Sequence, residues 1–271
     1  MEYKLEGDCN TVSKLIITIA LALSISLISF RLKFLTLGGA VIQFLIAVSI
    51  FYSGGIQWSI PILIFFFSAS LITKKNRNTA SDKNSKQKIF MRDHYQVIAN
   101  GGVGGILALI YSLTNYEFLY YYFLASLSVV CSDTWSTEIG TDTNWNTYNI
   151  LNFRRVEKGF SGGISLPGSL AGLLGSVIIS VSGFLLIEFN LKFFVIIIMS
   201  GILGNVLDSI FGAAVQVKYN CPECRKIVEV KNHCDVQTVY NNGIRFIDNN
   251  AVNLIASISG ILFFILFQKL F

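Results

Sequence analysis

The hydrophobic positions of this chain fall in long blocks. They do not alternate. Apolar runs cover about 12–30, 34–51, 54–72, 97–113, 118–140, 166–187, 193–217 and 251–271, each close to the length a helix needs to cross ~30 Å of hydrocarbon. The pattern predicts an all-α, polytopic membrane protein of about eight transmembrane helices, built as a single integral membrane domain over 1–271. Two polar stretches interrupt it at length: 73–93, expected to be a flexible cytoplasmic loop, and 218–247, a small cytoplasmic loop containing Cys and His. In the first three spans only Gln43 and the pairs Gly38-Gly39 and Gly54-Gly55 break the apolar pattern, and helix packing accounts for them.

Composition agrees with this map. The chain is 53% hydrophobic and 14% charged. The net charge of +5 does not point to nucleic acid, because the basic residues lie between apolar runs and not along one face. All Lys and Arg except Lys4, Lys14, Lys192 and Lys269 fall on one side of an eight-span topology. By the positive-inside rule that side is cytoplasmic, which puts both termini outside, with the plasma membrane as the expected location. Residues 1–10 carry Glu2, Glu6 and Asp8 against Lys4, the wrong sign for a cleavable signal, so the first span is expected to be retained.

The candidate chemistry gathers at the cytoplasmic ends of spans four to eight. The stretch SDTWSTEIG, 132–140, places Asp133 and Glu138 where hydrocarbon is expected, at about 3 kcal/mol for each ionised group. Five helical residues separate these carboxylates by about 140°, so they do not point the same way. Such oxygens suit Mg²⁺, directly or through water, and the bland alternative is a helix-end salt bridge or cap. Arg92, Gln96 and Asn100 share one helix face and either line a cavity or hydrogen-bond between helices. The run NFRRVEKGFSGGIS at 152–165 brings Arg154, Arg155 and Lys158 before Ser161, Gly162 and Gly163 at a helix start. Phosphate favours that combination of cations, free amides and helix dipole, although a positive-inside loop with a glycine turn has the same composition. Asn205 and Asp208 lie on one stripe of an otherwise apolar helix with Gly212 and Gln216. Asp248, Asn249 and Asn253 open the last span, as a cap or as further ligand oxygens.

Five cysteines, an odd number, argue against a disulfide framework. Cys221, Cys224, His233 and Cys234 have the order of a tetrahedral structural Zn²⁺ site, with free or redox-active thiols as the other reading. His94 is expected at the membrane interface.

Five stretches in this order, 92–102 (RDHYQVIANGG), 132–140 (SDTWSTEIG), 156–165 (VEKGFSGGIS), 204–216 (GNVLDSIFGAAVQ) and 248–253 (DNNAVN), resemble one family of integral membrane proteins. That family includes the phytyl-phosphate kinase of vitamin E biosynthesis and animal transmembrane protein nineteen. The resemblance spans roughly 10–270. It implies transfer of a phosphoryl group from a nucleoside triphosphate, with CTP the expected donor, to a prenyl or other lipid monophosphate. On this reading Asp133, Glu138 and Asp208 hold Mg²⁺ and are catalytic together with Lys158. Arg154, Arg155 and the amides of Ser161, Gly162 and Gly163 bind phosphate, and Arg92, Asn100, Asn205, Asp248, Asn249 and Asn253 line the pocket. Membrane lipid surrounds the helices, and homo-oligomerisation is left open. One departure is Pro167 just inside the sixth helix, a position where proline is tolerated. An ion-coupled transporter using the same carboxylates is the main competing reading, and a CDP-alcohol lipid transferase is the second.

Overall fold

The structure, a computed structural model, describes residues 2–79 and 91–270. Seven helices form the bundle: α1 (Glu2–Arg31), α2 (Leu37–Thr79), α3 (His94–Thr114), α4 (Phe118–Asp142), α5 (Leu166–Gly183), α6 (Leu191–Ala214) and α7 (Asn249–Leu270). Among the described residues, six helices are long and apolar enough to cross a membrane: α1, α2, α3, α5, α6 and α7.

The longest of them crosses twice. As a straight rod the 43 residues of α2 would extend about 65 Å, so its two ends could not meet. Yet Phe34, just before α2, stacks edge-on against Phe66 of the same helix at 6.4 Å. The reversal falls at Gly55, whose φ of 60° and ψ of −154° lie in a region that side chains disfavour. A Cβ at Gly55 would have open space around it, so backbone conformation alone selects glycine there. The remaining crossing is α4, whose first half is apolar and buried and whose second half carries the polar residues. Counting both arms of α2 and adding α4 gives the eight spans the hydropathy blocks predict.

The bundle is organised around α4. Trp58, 1% exposed, packs on Tyr111, Tyr120 and Phe123 at centroid distances of 5.2, 5.4 and 4.8 Å. The Tyr120 hydroxyl donates to the Gly183 carbonyl at 2.8 Å. Helix α5 lies close against α4 because it turns Gly168, Gly172 and Gly175 toward it, where a Cβ would come within 2.8–3.0 Å of Ser136, Asn205, Ser132 and Cys131 atoms.

At one end the crossings are joined by short turns around Gly55, Asn115 and 184–190. The other end carries the longer connections. There the entries to α2 and α3 are laced by Arg92 N–H to Phe34 carbonyl (3.0 Å) and Thr36 N–H to Arg92 carbonyl (3.1 Å). Between α4 and α5 stands a small antiparallel sheet of β1 (Thr147–Asn149), β2 (Arg155–Val156) and β3 (Gly163–Ile164), in the order β2-β1-β3. Between α6 and α7 stand β4 (Lys218–Asn220), β5 (Ile227–Val228) and β8 (Val239–Asn242), in the order β5-β4-β8, and the hairpin β6 (Asn232–His233) with β7 (Val236–Gln237).

Two features differ from the sequence expectation. The segment 218–247, expected as a loop, and the connection between α4 and α5 contain these sheets, whose strands of two to four residues are too short to carry a visible alternation. The expected flexible loop over 73–93 begins as helix, because α2 continues to Thr79. Polar residues end the hydropathy signal there without ending the helix. The central part of that segment, 80–90, lies outside the described residues.

Candidate active site at the polar end of the bundle

Four helix ends and one turn converge on a polar cavity of about 230 Å³. Its walls come from Arg92 and Gln96 at the start of α3, from Asp133, Thr134, Thr137 and Glu138 on the last turns of α4, and from the turn 159–163. Asn205, Asp208 and Ser209 of α6 and Asn249 and Asn253 of α7 close it.

Each acidic residue is set there by its own helix. The 140° between the α4 carboxylates sends them to different neighbours. Glu138 turns to α2, where Thr73 Oγ1 donates to Oε1 at 2.6 Å and Asn76 Nδ2 donates to Oε2 at 3.1 Å and to the Glu138 carbonyl at 2.7 Å. Asp133, from α4, lines the same cavity as Asp208, from α6. Asp208 is held from α7: the Asn253 amide, in the orientation that satisfies both its ends, donates to Asp208 Oδ2 at 3.2 Å and to the Asn249 carbonyl at 3.0 Å. The amides of Asn253 and Asn100 meet at 3.5 Å, which places Asn100 behind the cavity wall. Asn205 Nδ2 donates to Ser132 Oγ at 3.1 Å and so ties α6 to α4.

Arg92 is anchored by the lacing of its backbone, and its Nη1 donates to Ser70 Oγ at 3.3 Å. Arg92 and Gln96 also border a second, apolar cavity of about 70 Å³ lined by Ile25, Ile46, Ala47, Ile50, Phe65 and Phe66, with Asn100 and Gly101 at its edge. The polar and apolar spaces therefore adjoin across Arg92 and Gln96.

The turn over 159–163 is shaped by two glycines in the left-handed region, Gly159 (φ 78°) and Gly162 (φ 79°). A Cβ at Gly162 would lie 2.4 Å from Ala213 Cβ, so the turn sits directly on α6. Ser161 is held by Glu229, whose Oε1 accepts from the Ser161 amide at 2.9 Å and whose Oε2 accepts from the hydroxyl at 2.7 Å.

Other expected site residues stand apart from the cavity. Arg154 and Arg155 are exposed on the β1-β2 hairpin, and the Lys158 ammonium donates to the Thr143 carbonyl. Asp248 caps α7, its Oδ1 accepting from the Ala251 amide at 2.9 Å. The ligand atoms of Cys221, Cys224, His233 and Cys234 all lie within 4.8 Å of one another. The Cys221 thiol is pulled down to about 6, first by the Cys224 backbone amide. Thr73, Asn76 and Glu229 were not among the expected site residues. Each reaches its partner across more than 60 residues of sequence, and no local spacing signals such a contact.

Comparison with known proteins places the chain. Residues 20–261 match the family described as Integral membrane protein DUF92. Protein PGR of Arabidopsis thaliana is 26% identical over 286 residues, covering 93% of this chain and 98% of the relative. An uncharacterized membrane protein of Methanocaldococcus jannaschii is 28% identical over 77% of this chain and 86% of its own. Protein VTE6, chloroplastic, of Arabidopsis thaliana is 27% identical over 73% of this chain and 53% of its own length. No solved structure matches. The chain belongs to the DUF92 family of integral membrane proteins.

Proposed function

We propose that this protein is a membrane-embedded lipid-phosphate kinase, which transfers the terminal phosphoryl group of a nucleoside triphosphate to a prenyl or similar lipid monophosphate. One observation carries the reading: the acidic and hydroxyl-lined cavity adjoins an apolar cavity across Arg92 and Gln96. A substrate with an anionic head and a hydrocarbon tail has that shape, and an ion path has no use for the apolar half. The motif likeness to the phytyl-phosphate kinase family and the match to VTE6 over 73% of the chain support the same class.

The donor set fits Mg²⁺. Asp133 and Asp208 line one cavity, and among the described residues neither forms a salt bridge with Lys or Arg. A hard cation would neutralise carboxylates gathered in one cavity, through oxygen ligands from Asp133 and Asp208, with Glu138 as a further ligand. When bound, Mg²⁺ would neutralise charge on the phosphates during transfer.

The chain's own groups do the rest. Arg92 meets the acceptor phosphate at the junction of the two cavities. Asn205 and Asn253 hold the walls that carry Asp133 and Asp208, and the turn 159–163 closes the wall beside them; contrary to the sequence expectation, its Ser161 and Gly163 amides are already given to Glu229 and to the Phe160 carbonyl. An oxygen of the acceptor phosphate attacks the γ-phosphorus, the bond from that phosphorus to the bridging oxygen breaks, and the nucleoside diphosphate leaves. The acceptor is already an anion, so no strong general base is required. We place this polar end on the cytoplasmic side, where the basic connections put it by the positive-inside rule.

The test incubates detergent-purified protein with Mg²⁺, each nucleoside triphosphate and a panel of prenyl phosphates. Chromatography is expected to resolve a lipid diphosphate for at least one pair. Absence of product for every pair, from protein that elutes as a single folded species, removes the proposal.

A further inference from the structure

We infer that the module over 218–247 is a zinc-organised clasp, in which one Zn²⁺ held by Cys221, Cys224, His233 and Cys234 fixes Glu229 in its grip on Ser161 at the cavity turn. The inference does not depend on the reaction proposed above.

The ligand geometry comes first. Cys224 Sγ lies 3.5 Å and Cys234 Sγ 3.2 Å from His233 Nδ1, and all four ligand atoms fall within 4.8 Å. A tetrahedral site with Zn–S of about 2.3 Å and Zn–N of about 2.0 Å needs ligand-to-ligand edges of roughly 3.5–3.8 Å. Small inward movements would close the shell. Thiolate and imidazole donors favour Zn²⁺ over the hard cations suited to the carboxylate cavity. With four protein ligands no position is left open, so this site is structural.

The module has little apolar cover among the described residues. Its strands are two to four residues long, and Ile227, Val230 and Val239 are 49%, 51% and 61% exposed. Arg225, Cys234 and Asp235 all adopt left-handed backbone, and the last two form the tight turn between β6 and β7. A small module with so little apolar burial and three residues in left-handed backbone is stabilised by a cross-link, and a metal supplies one.

The module's reach gives the cross-link a purpose. Glu229 lies directly after β5 and places both carboxylate oxygens on Ser161. A second tie, Lys226 Nζ to Glu157 Oε1 at 2.9 Å, joins the module to the same connection between α4 and α5. Glu229 is thus a positioning residue that orders the turn through its backbone. Metal at one end of the module and turn geometry at the other are linked through β4 and β5.

The full chain is purified in detergent without added metal and analysed for elements. About one zinc per chain is expected, with loss in Cys224→Ala and retention in Glu223→Ala, which alters an exposed residue between the two cysteines. So that the test does not depend on the cysteine variant folding, hydrogen–deuterium exchange of the peptide covering 157–165 is followed in the unaltered protein as zinc is stripped and restored. Exchange is expected to rise several-fold on stripping, to return on refilling, and to be raised also in zinc-loaded Glu229→Ala. Protein that holds no zinc and takes none up overturns the inference. So does bound zinc whose removal leaves exchange over 157–165 unchanged.

Discussion

The Thr73 hydroxyl donates to Glu138 Oε1 at 2.6 Å, joining the returning arm of α2 to the polar end of α4. With the two bonds from Asn76, this orients Glu138. Losing one hydrogen bond to a charged group costs about 1.5 kcal/mol, close to a factor of ten in rate if the orientation matters in the transition state. Thr73→Val is therefore expected to lower turnover of the lipid phosphate about tenfold, while Thr73→Ser keeps most of it. Steady-state kinetics of the two variants check this.

The placement of Asp133 and Asp208 in one cavity gives a prediction that needs no substrate. Relieving like charges in one cavity stabilises the fold, whether by a cation or by neutralisation. Mg²⁺ at a hundred times its dissociation constant should add about 2.7 kcal/mol to the stability of the unaltered protein. Asp208→Asn is expected to melt at or above the metal-free unaltered protein and to lose most of the Mg²⁺-dependent rise. Thermal melts with and without EDTA measure both effects.

The turn at 159–163 rests on Gly162, where a Cβ would lie 2.4 Å from Ala213 Cβ and the backbone has φ 79°. Gly162→Ala combines an overpacked contact with left-handed strain, together about 2–4 kcal/mol. The double variant Gly162→Ala with Ala213→Gly should recover only the Cβ–Cβ part of the loss, because Ala213 Cα and N would still lie 2.8 Å from the new Cβ. Melting temperatures of the two variants separate the contributions.

These residues also mark how far the sequence could be read. The roughly eight crossings were legible because hydropathy blocks report membrane thickness directly, whereas Gly54-Gly55, assigned from sequence to helix packing, stands at the reversal inside α2. Asp133 and Asp208 stood out because a carboxylate inside an apolar helix is costly wherever it lies. Spacing could not say which way a hairpin presents its side chains. Arg154 and Arg155 are exposed although they precede the turn as a phosphate motif would place them. Nor could it pair Glu229 with Ser161 or Asn76 with Glu138, since tertiary packing alone brings these elements together. The small sheets were missed because two-residue strands have no period to detect.

The apolar cavity beside Arg92 makes chain length a further test. Gly101 lines it, and a Cβ there would already stand 3.4 Å from Ile46 Cδ1. Gly101→Val should fill part of the space and raise KM for a long prenyl phosphate several-fold. KM for a short-chain acceptor and kcat should change little. Equal loss for both acceptors would place the tail elsewhere.

The central claim is transfer of the terminal phosphoryl group, and isotope position tests it most directly. Purified protein receives a prenyl phosphate, Mg²⁺ and a nucleoside triphosphate labelled in either the γ- or the α-phosphoryl group. The account predicts that γ-label enters the lipid, that α-label stays with the nucleotide, and that Asp208→Asn abolishes the transfer. Label entering the lipid from the α-position, or from neither position with folded Mg²⁺-loaded protein, would contradict it.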